Sequence, residues 1–414
     1  MRRFNFKKGF WVILITSLIN YPVFSLSHAA PILALEKLIE EAKGNNPQIK
    51  AAHARWIAAN RVAPQARSLP DPKVSVGSPM NIDPMRLQMI GASQEIPFPG
   101  KLAVRGKIAV EKAKRAAADF QATCLVVIAQ LKRIYYNLYS VNKSIEILQK
   151  TLLLLQELEK SAQVNYSVGK VPQQDIFRAQ TEIARLDMRL VILKQERESL
   201  EADINRLLNR PLDIAIHTPP QLSVTHHRHN LAFLNNLIKQ RSPQLKARER
   251  SVEQRRQTVK LSKMNYFPDV EIEGGKLHNT VTNNDGYMVN LKATIPLYFM
   301  EKQNNGLRES LSRYNAEVED LHTTYQALLF QVKNAFLVEQ RSAKLIELIQ
   351  GSIIPLATLT FNSSQANYGV GKVDFLTLLN NLLTLQENEI ELHNELANHE
   401  KAITQIEEIT GKLT

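Results

Sequence analysis

Apolar residues recur three and four positions apart over much of the chain. Ile176, Ala179, Ile183, Leu186, Leu190, Leu193, Leu200, Ile204 and Leu207 keep this alternation, with Arg197 as the one break. Spacing of this kind lines one face of a helix with a seam that packs on another helix. Leu378, Leu382, Leu385, Leu392, Leu396, Ile403 and Ile406 repeat it, with Glu389 and His399 as breaks. Upstream of these, residues 101–165 and 302–366 are almost free of Pro and Gly, and Leu125, Ile128, Leu131, Tyr135, Leu138, Ile145, Leu148, Leu152 and Leu155 recur at the same intervals. Each segment predicts one helix on the order of 90–100 Å long, at about 1.5 Å per residue. Pro355 is the exception and predicts a kink or an irregular turn in the second long helix.

Between the first short helix and the long helix of each half the period changes to two. Tyr287, Val289, Leu291, Ala293 and Ile295 alternate with Met288, Asn290, Lys292 and Thr294, and Val270 and Ile272 with Glu271 and Glu273. These segments predict strands with one wet face. The corresponding segments of the first half, 71–78 and 87–96, alternate less cleanly, and their assignment leans on an internal repeat.

That repeat is visible in short matches. Residues 45–51, NNPQIKA, return as 241–247, RSPQLKA. Leu69-Pro70-Asp71 returns as Phe267-Pro268-Asp269, Ile96-Pro97-Phe98 as Ile295-Pro296-Leu297, and Tyr166-Ser167-Val168-Gly169-Lys170-Val171 as Tyr368-Gly369-Val370-Gly371-Lys372-Val373. The offset drifts from 196 to 202, as small loop insertions produce. The expected organisation is a first repeat over 30–215, a linker over 216–230 and a second repeat over 231–414. Four strands cannot close a barrel, and an open edge in lipid leaves unpaired backbone groups at several kcal/mol each. The chain is therefore expected to associate, and a symmetric trimer supplies twelve strands and twelve helical columns.

The first 29 residues read as a secretory signal peptide, with four basic side chains, no acid, a short apolar run and Ala29 before the cut. No Cys follows to carry a lipid anchor, and no later stretch reads as apolar for long enough to cross a membrane as a helix. Of 52 Lys and Arg, losing those four lowers the formal net charge from +12 to +8. The remaining basic residues are dispersed among Glu and Gln on helical faces, which argues against a nucleic-acid partner. One cysteine, Cys124, excludes an internal disulfide and thiolate zinc sites. There is no GxxxxGK[ST], HExxH, GxSxG or Rossmann fingerprint, so nothing points to an enzyme or a cofactor. A duct without a nucleotide site conducts, and its energy comes from elsewhere.

The duplicated unit, the segment Gln94-Glu95-Ile96-Pro97-Phe98-Pro99-Gly100-Lys101 and the two YxVGK segments together resemble the TolC-like family of outer membrane efflux channels, and most of all its heavy-metal branch, typified by CusC and CzcC. The resemblance implies a mainly α fold with a small β part: a homotrimer whose 12-stranded barrel sits in outer membrane lipid and continues into an α-helical periplasmic tunnel. It implies a periplasmic adaptor and an inner-membrane pump of the RND type as partners. Carried over, the tips that contact the adaptor are Val168, Gly169 and Lys170, and Val370, Gly371 and Lys372, and the periplasmic gate is Asp175 with Tyr368, hydrogen-bonded inside the tip bundle. Asp175 read on its own is also a plain helix cap. Two positions depart from the family pattern. Thr377, Asn380 and Asn381 stand where some members carry an Asp ring, and Val373 beside Lys372 replaces a supporting Arg.

The cargo implied is metal cations, with multidrug efflux, type I secretion and, in another class, a periplasmic coiled-coil adaptor as alternatives. Met80, Met85 and Met89 are weak candidates for soft Cu(I) or Ag(I) ligands, since Met also fills apolar gaps. His226, His227 and His229 in the linker are weak candidates for a divalent ion, since a polar surface linker accounts for them better.

Overall fold

The computed structural model describes residues 32–82, 85–225 and 230–411. The expected signal peptide and the linker histidines His226, His227 and His229 lie outside the described residues. Helices α1 (Ile32–Asn45) and α2 (Pro47–Arg67) are joined at Asn46. The Asn46 carboxamide accepts from the Gln48 and Ile49 N–H groups at 2.8 and 3.2 Å and donates to the Leu207 carbonyl at 2.8 Å. One side chain thus caps α2 and ties it to the far end of the same repeat.

Strands β1 (Lys73–Ile82) and β2 (Met85–Ile96) lead into α3 (Lys101–Ser167), a single helix of 67 residues, and α4 (Gln173–Leu208) returns antiparallel. The second half repeats the order with α5 (Leu231–Arg241), α6 (Pro243–Met264), β3 (Asp269–Asn279) and β4 (Asn284–Thr294). Its long helix is not uniform. A π-helical turn at Phe299–Gln303 precedes α7 (Asn304–Leu348), and a second at Ile349–Ile353 separates α7 from α8 (Ile354–Gly369). Pro355 stands two residues after this second turn, in the first turn of α8. Its missing N–H and ring displace the α-helical bonding there, so the irregularity expected at Pro355 takes the form of a wider turn rather than a break. The return helix α9 (Phe375–Thr410) ends the chain's described part.

Two expectations need correction. The continuous helical stretch Phe299–Gly369 contains an 18-residue window of mean hydropathy 1.3, long and apolar enough by composition to cross a bilayer, although only 17% of that window is buried. The first-half strands also run four residues beyond 78 and begin two before 87. β1 carries a register shift between Gly77 and Met80, where Pro79 lacks a ladder donor, and β2 carries apolar residues at both parities.

The strands form one antiparallel sheet in the order β1-β2-β3-β4, so β1 and β4 are both free edges. The helices neighbour one another as a row. Near the sheet the neighbours are α2, α3, α6 and α7, and toward the far end α4, α3, α9 and α7–α8. Apolar clusters fill the row at both levels, around Leu131, Tyr135 and Leu207, around Leu328, Val332 and Ile409, and toward the far end around Leu155, Leu186 and Leu378. The heptad break at His399 falls on polar contacts. His399 is buried, with Nδ1 3.1 Å from Glu400 and Nε2 3.7 Å from Glu339.

Gly411 closes α9 with φ of +74°, donating to the Glu407 carbonyl at 3.0 Å. A Cβ there would lie 2.8 Å from the Arg241 carbonyl oxygen and 3.2 Å from Pro243 Cδ, between α5 and α6. Gly411→Ala is expected to cost about 1–2 kcal/mol for the left-handed backbone, with the clash added. A lower dissociation temperature of the detergent-extracted protein would show it, and an unchanged one would refute it.

Candidate functional site

Two regions carry chemistry that the fold positions deliberately: the two faces of the sheet and the two far helical turns. Strand register puts Val74, Val76, Ile90, Ile272, Val289 and Leu291 on one face. All are exposed, Val289 by 80% and Val76 by 76%. At the hairpin end this band gives way to Tyr287 and to Asp285, which is paired with Lys276 at 2.6 Å and His278 at 2.9 Å. The opposite face carries Glu271, Glu273, Asn290, Lys292 and Thr294, with Lys292 and Glu273 2.7 Å apart. An apolar band backed by a polar face inverts the arrangement of a soluble sheet, and matches a wall between lipid and water.

Where the sheet meets the helices, a buried latch joins the two halves. Lys101, only 3% exposed, places Nζ 2.9 and 3.0 Å from the two Asp269 carboxylate oxygens and 3.2 Å from the Phe267 carbonyl. Asp269 also accepts from the Phe98 N–H at 2.6 Å, and the Phe98 and Phe267 rings stack with centroids 4.5 Å apart. Gly100, with φ of +95°, turns the chain so that Lys101 can point inward at the start of α3. The sequence offered the Pro-Phe-Pro-Gly-Lys segment but not its partner, 168 residues away.

The two far turns are built alike. Gly169 and Gly371 both have φ of +73°; Gly169 donates to Tyr166 and Gly371 to Tyr368, while Lys170 and Lys372 donate to Asn165 and Asn367 at 2.9 Å. Nothing lies within 4 Å of where either glycine's Cβ would be, so the backbone angle, not crowding inside the chain, calls for glycine. Val168 and Val370 project outward, 62% and 68% exposed. Lys170 and Lys372 are exposed beside them.

The turns differ just beyond. Asp374 caps α9, accepting from the Thr377 N–H at 2.9 Å and its hydroxyl at 2.7 Å. The matching residue before α4 is Pro172, which offers no side-chain cap. Asp175 is therefore inside the first turn of α4 rather than capping it, and it is 6% exposed. Burial, reinforced by Asp374 and opposed by Arg178, pushes its carboxyl above the usual range. Tyr368 is 5% exposed and meets Phe375 edge-on at 5.7 Å, whereas its repeat equivalent Tyr166 is 45% exposed. Burial and the Asp175 charge raise the Tyr368 hydroxyl's pKa, and Asn165 lowers it. Asp175 and Tyr368 are thus brought together, but no well-directed hydrogen bond reaches the Tyr368 hydroxyl in this conformation. Of the positions that depart from the family pattern, Asn381 donates to Ser364 at 2.6 Å and Asn380 is exposed.

The methionines sit along the β1–β2 ladder, Met80 opposite Leu87, Met85 opposite Ile82 and Met89 between Gly77 and Leu277. Among the described residues no group of three or more His, Cys, Asp or Glu side chains could hold a metal ion.

A family model described as "Outer membrane efflux protein" matches residues 38–210 and 234–412. The chain is 20% identical to the cobalt-zinc-cadmium resistance protein CzcC of Cupriavidus metallidurans, over 94% of this chain and 93% of that protein. Among solved structures it resembles the outer membrane protein VceC of Vibrio cholerae, with a TM-score of 0.80, 18% identity and coverage of 91% of this chain and 96% of that one. It also resembles CusC, with a TM-score of 0.75, 16% identity and coverage of 94% and 95%.

Proposed function

Because the chain belongs to the outer membrane efflux protein family, whose members are channels rather than enzymes, we propose that it is the outer membrane duct of a three-part efflux assembly. The observation that carries the reading is the sheet: four strands with two free edges, an exposed apolar band on one face and ion pairs on the other. Three copies close the edges into twelve strands, and the same rotation turns the row of helices into a tube. The band then faces lipid and the polar face lines the lumen.

In this reading the turns at Val168–Lys170 and Val370–Lys372 point away from the membrane and receive the adaptor, which hands on cargo from an inner-membrane pump of the RND type. Asp175 and Tyr368 form the gate just inside the turns. The cargo is metal cations, an assignment supported by the similarity to a cobalt-zinc-cadmium resistance protein.

Growth of a deletion strain, with and without the complementing gene, tests this across copper, silver, zinc, cobalt and cadmium salts and a panel of lipophilic drugs and detergents. Hypersensitivity confined to metals is expected. Sensitivity to drugs and detergents alone would overturn the metal assignment while keeping the duct, and no phenotype in either panel would count against export altogether.

A further inference from the structure

The latch between Lys101 and Asp269 joins a strand-to-helix junction of the first repeat to the strand start of the second. The internal repeat supplies a second copy of both halves of this latch, and among the described residues no ion pair joins them within the chain. Leu69-Pro70-Asp71 matches Phe267-Pro268-Asp269, and Ile295-Pro296-Leu297 matches Ile96-Pro97-Phe98. Where Phe98 and Phe267 stack, their equivalents Leu297 and Leu69 are 75% and 52% exposed. Where the Phe98 N–H reaches Asp269, the Leu297 N–H turns back on its own chain, to the Ile295 carbonyl at 2.9 Å. Asp71 lies exposed just before the edge strand β1, and Lys302 lies exposed in the π-helical turn after the edge strand β4, on the rim of a cavity that Leu297 and Asp269 also line.

We propose that two copies of this chain join by repeating the latch between them, with Asp71 of one copy accepting from the Leu297 N–H and pairing with Lys302 of the next, and Leu69 packing on Leu297. This rests on the trimeric reading above. The basic residue stands two positions later than in the first repeat, at the π-helical turn Phe299–Gln303 that widens the second junction.

Strand register gives an independent check. Transferring the observed β2–β3 pairs Glu95–Glu271, Gln94–Ile272 and Ala92–Gly274 onto the seam pairs Thr294 with Lys73, Ala293 with Val74 and Leu291 with Val76. The apolar band then runs unbroken across the seam, whereas a slip of one residue would turn Val74 and Val76 to the polar side. The helices agree. The row ends on one side in α4, with exposed Phe177, Met188 and Val191, and on the other in α7–α8, with exposed Leu348, Leu356 and Leu359.

The test uses the full-length protein carrying Cys124→Ser, extracted in detergent. With Leu69→Cys and Leu297→Cys together, mild oxidation is expected to give covalent dimers and trimers on non-reducing denaturing gels, and neither single variant should. Asp71→Lys and Lys302→Asp are each expected to weaken the assembly that survives unboiled denaturing gels, and the two together to restore it. A trimer by mass that neither cross-links nor shows this rescue would overturn the seam and leave the duct reading intact. A protein that is monomeric by mass would overturn both.

Discussion

Asp269→Ala is expected to be among the most damaging single substitutions, costing about 3–5 kcal/mol. The reason lies in an asymmetry of the latch. The Lys101 side chain is 4% exposed and the Asp269 side chain 27%. Removing Asp269 leaves a buried ammonium with only the Phe267 carbonyl, and strands the Phe98 N–H as well. An unpaired buried charge carries its full desolvation cost. Lys101→Met is the informative contrast. It leaves a carboxylate that water can still reach and that keeps the Phe98 N–H, while the Met side chain fills the volume, so the loss should be about 1–2 kcal/mol. The dissociation temperature of the detergent-extracted assembly ranks the two variants. Equal losses, or a larger one for Lys101→Met, would mean that the pair holds the junction by mutual attraction in water rather than by the cost of burial.

The long helices and their seams could be read from spacing alone because they depend on local periodicity. The sheet's wet and apolar faces could be read for β4 and partly for β3. They could not be read for β1, where the shift at Gly77–Met80 changes the parity of the alternation. The repeat told where two tips should be, but not how each would pack. Tyr166 and Tyr368 occupy matching sites, yet one is 45% exposed and the other 5%, buried in the far-end cluster with Leu158, Ala162 and Ala179. Asp175 looked like a possible helix cap. The backbone starts α4 at Gln173 after Pro172, which moves Asp175 into the first turn and under the packing. Such outcomes depend on contacts between residues far apart in the chain, and no spacing rule encodes them. The same is true of Lys101, an ordinary basic residue in sequence whose burial follows from Asp269.

At the tips, Asp175→Ala and Tyr368→Phe are each expected to raise single-channel conductance in planar bilayers. A hydrogen bond to an ionised carboxylate contributes about 1.5–3 kcal/mol, so three symmetry-related pairs could hold a closed tip by about 5–9 kcal/mol. A shift of about 5.5 kcal/mol carries a two-state equilibrium from nearly always closed to nearly always open. The Tyr368→Phe variant keeps the ring against Phe375 and removes only the hydroxyl, which in this conformation has no well-directed partner. Its effect therefore reports the locked arrangement alone. Acidity supplies an independent lever with a fixed sign. In the unbonded arrangement seen here the Asp175 carboxyl titrates above its usual range, chiefly because it is buried. In a locked arrangement a hydrogen bond from Tyr368 favours the charged form and lowers it. Protons thus bind the unbonded arrangement more tightly, and conductance should rise as pH falls from neutrality through the raised Asp175 pKa. The Asp175→Ala variant should lose that dependence. If both variants conducted as the parent does at neutral pH, the gate would have to be sought elsewhere in the tips. If instead conductance fell on acidification and Asp175→Ala abolished the fall, the charged carboxylate would favour the open state and the polarity of the lock would be reversed.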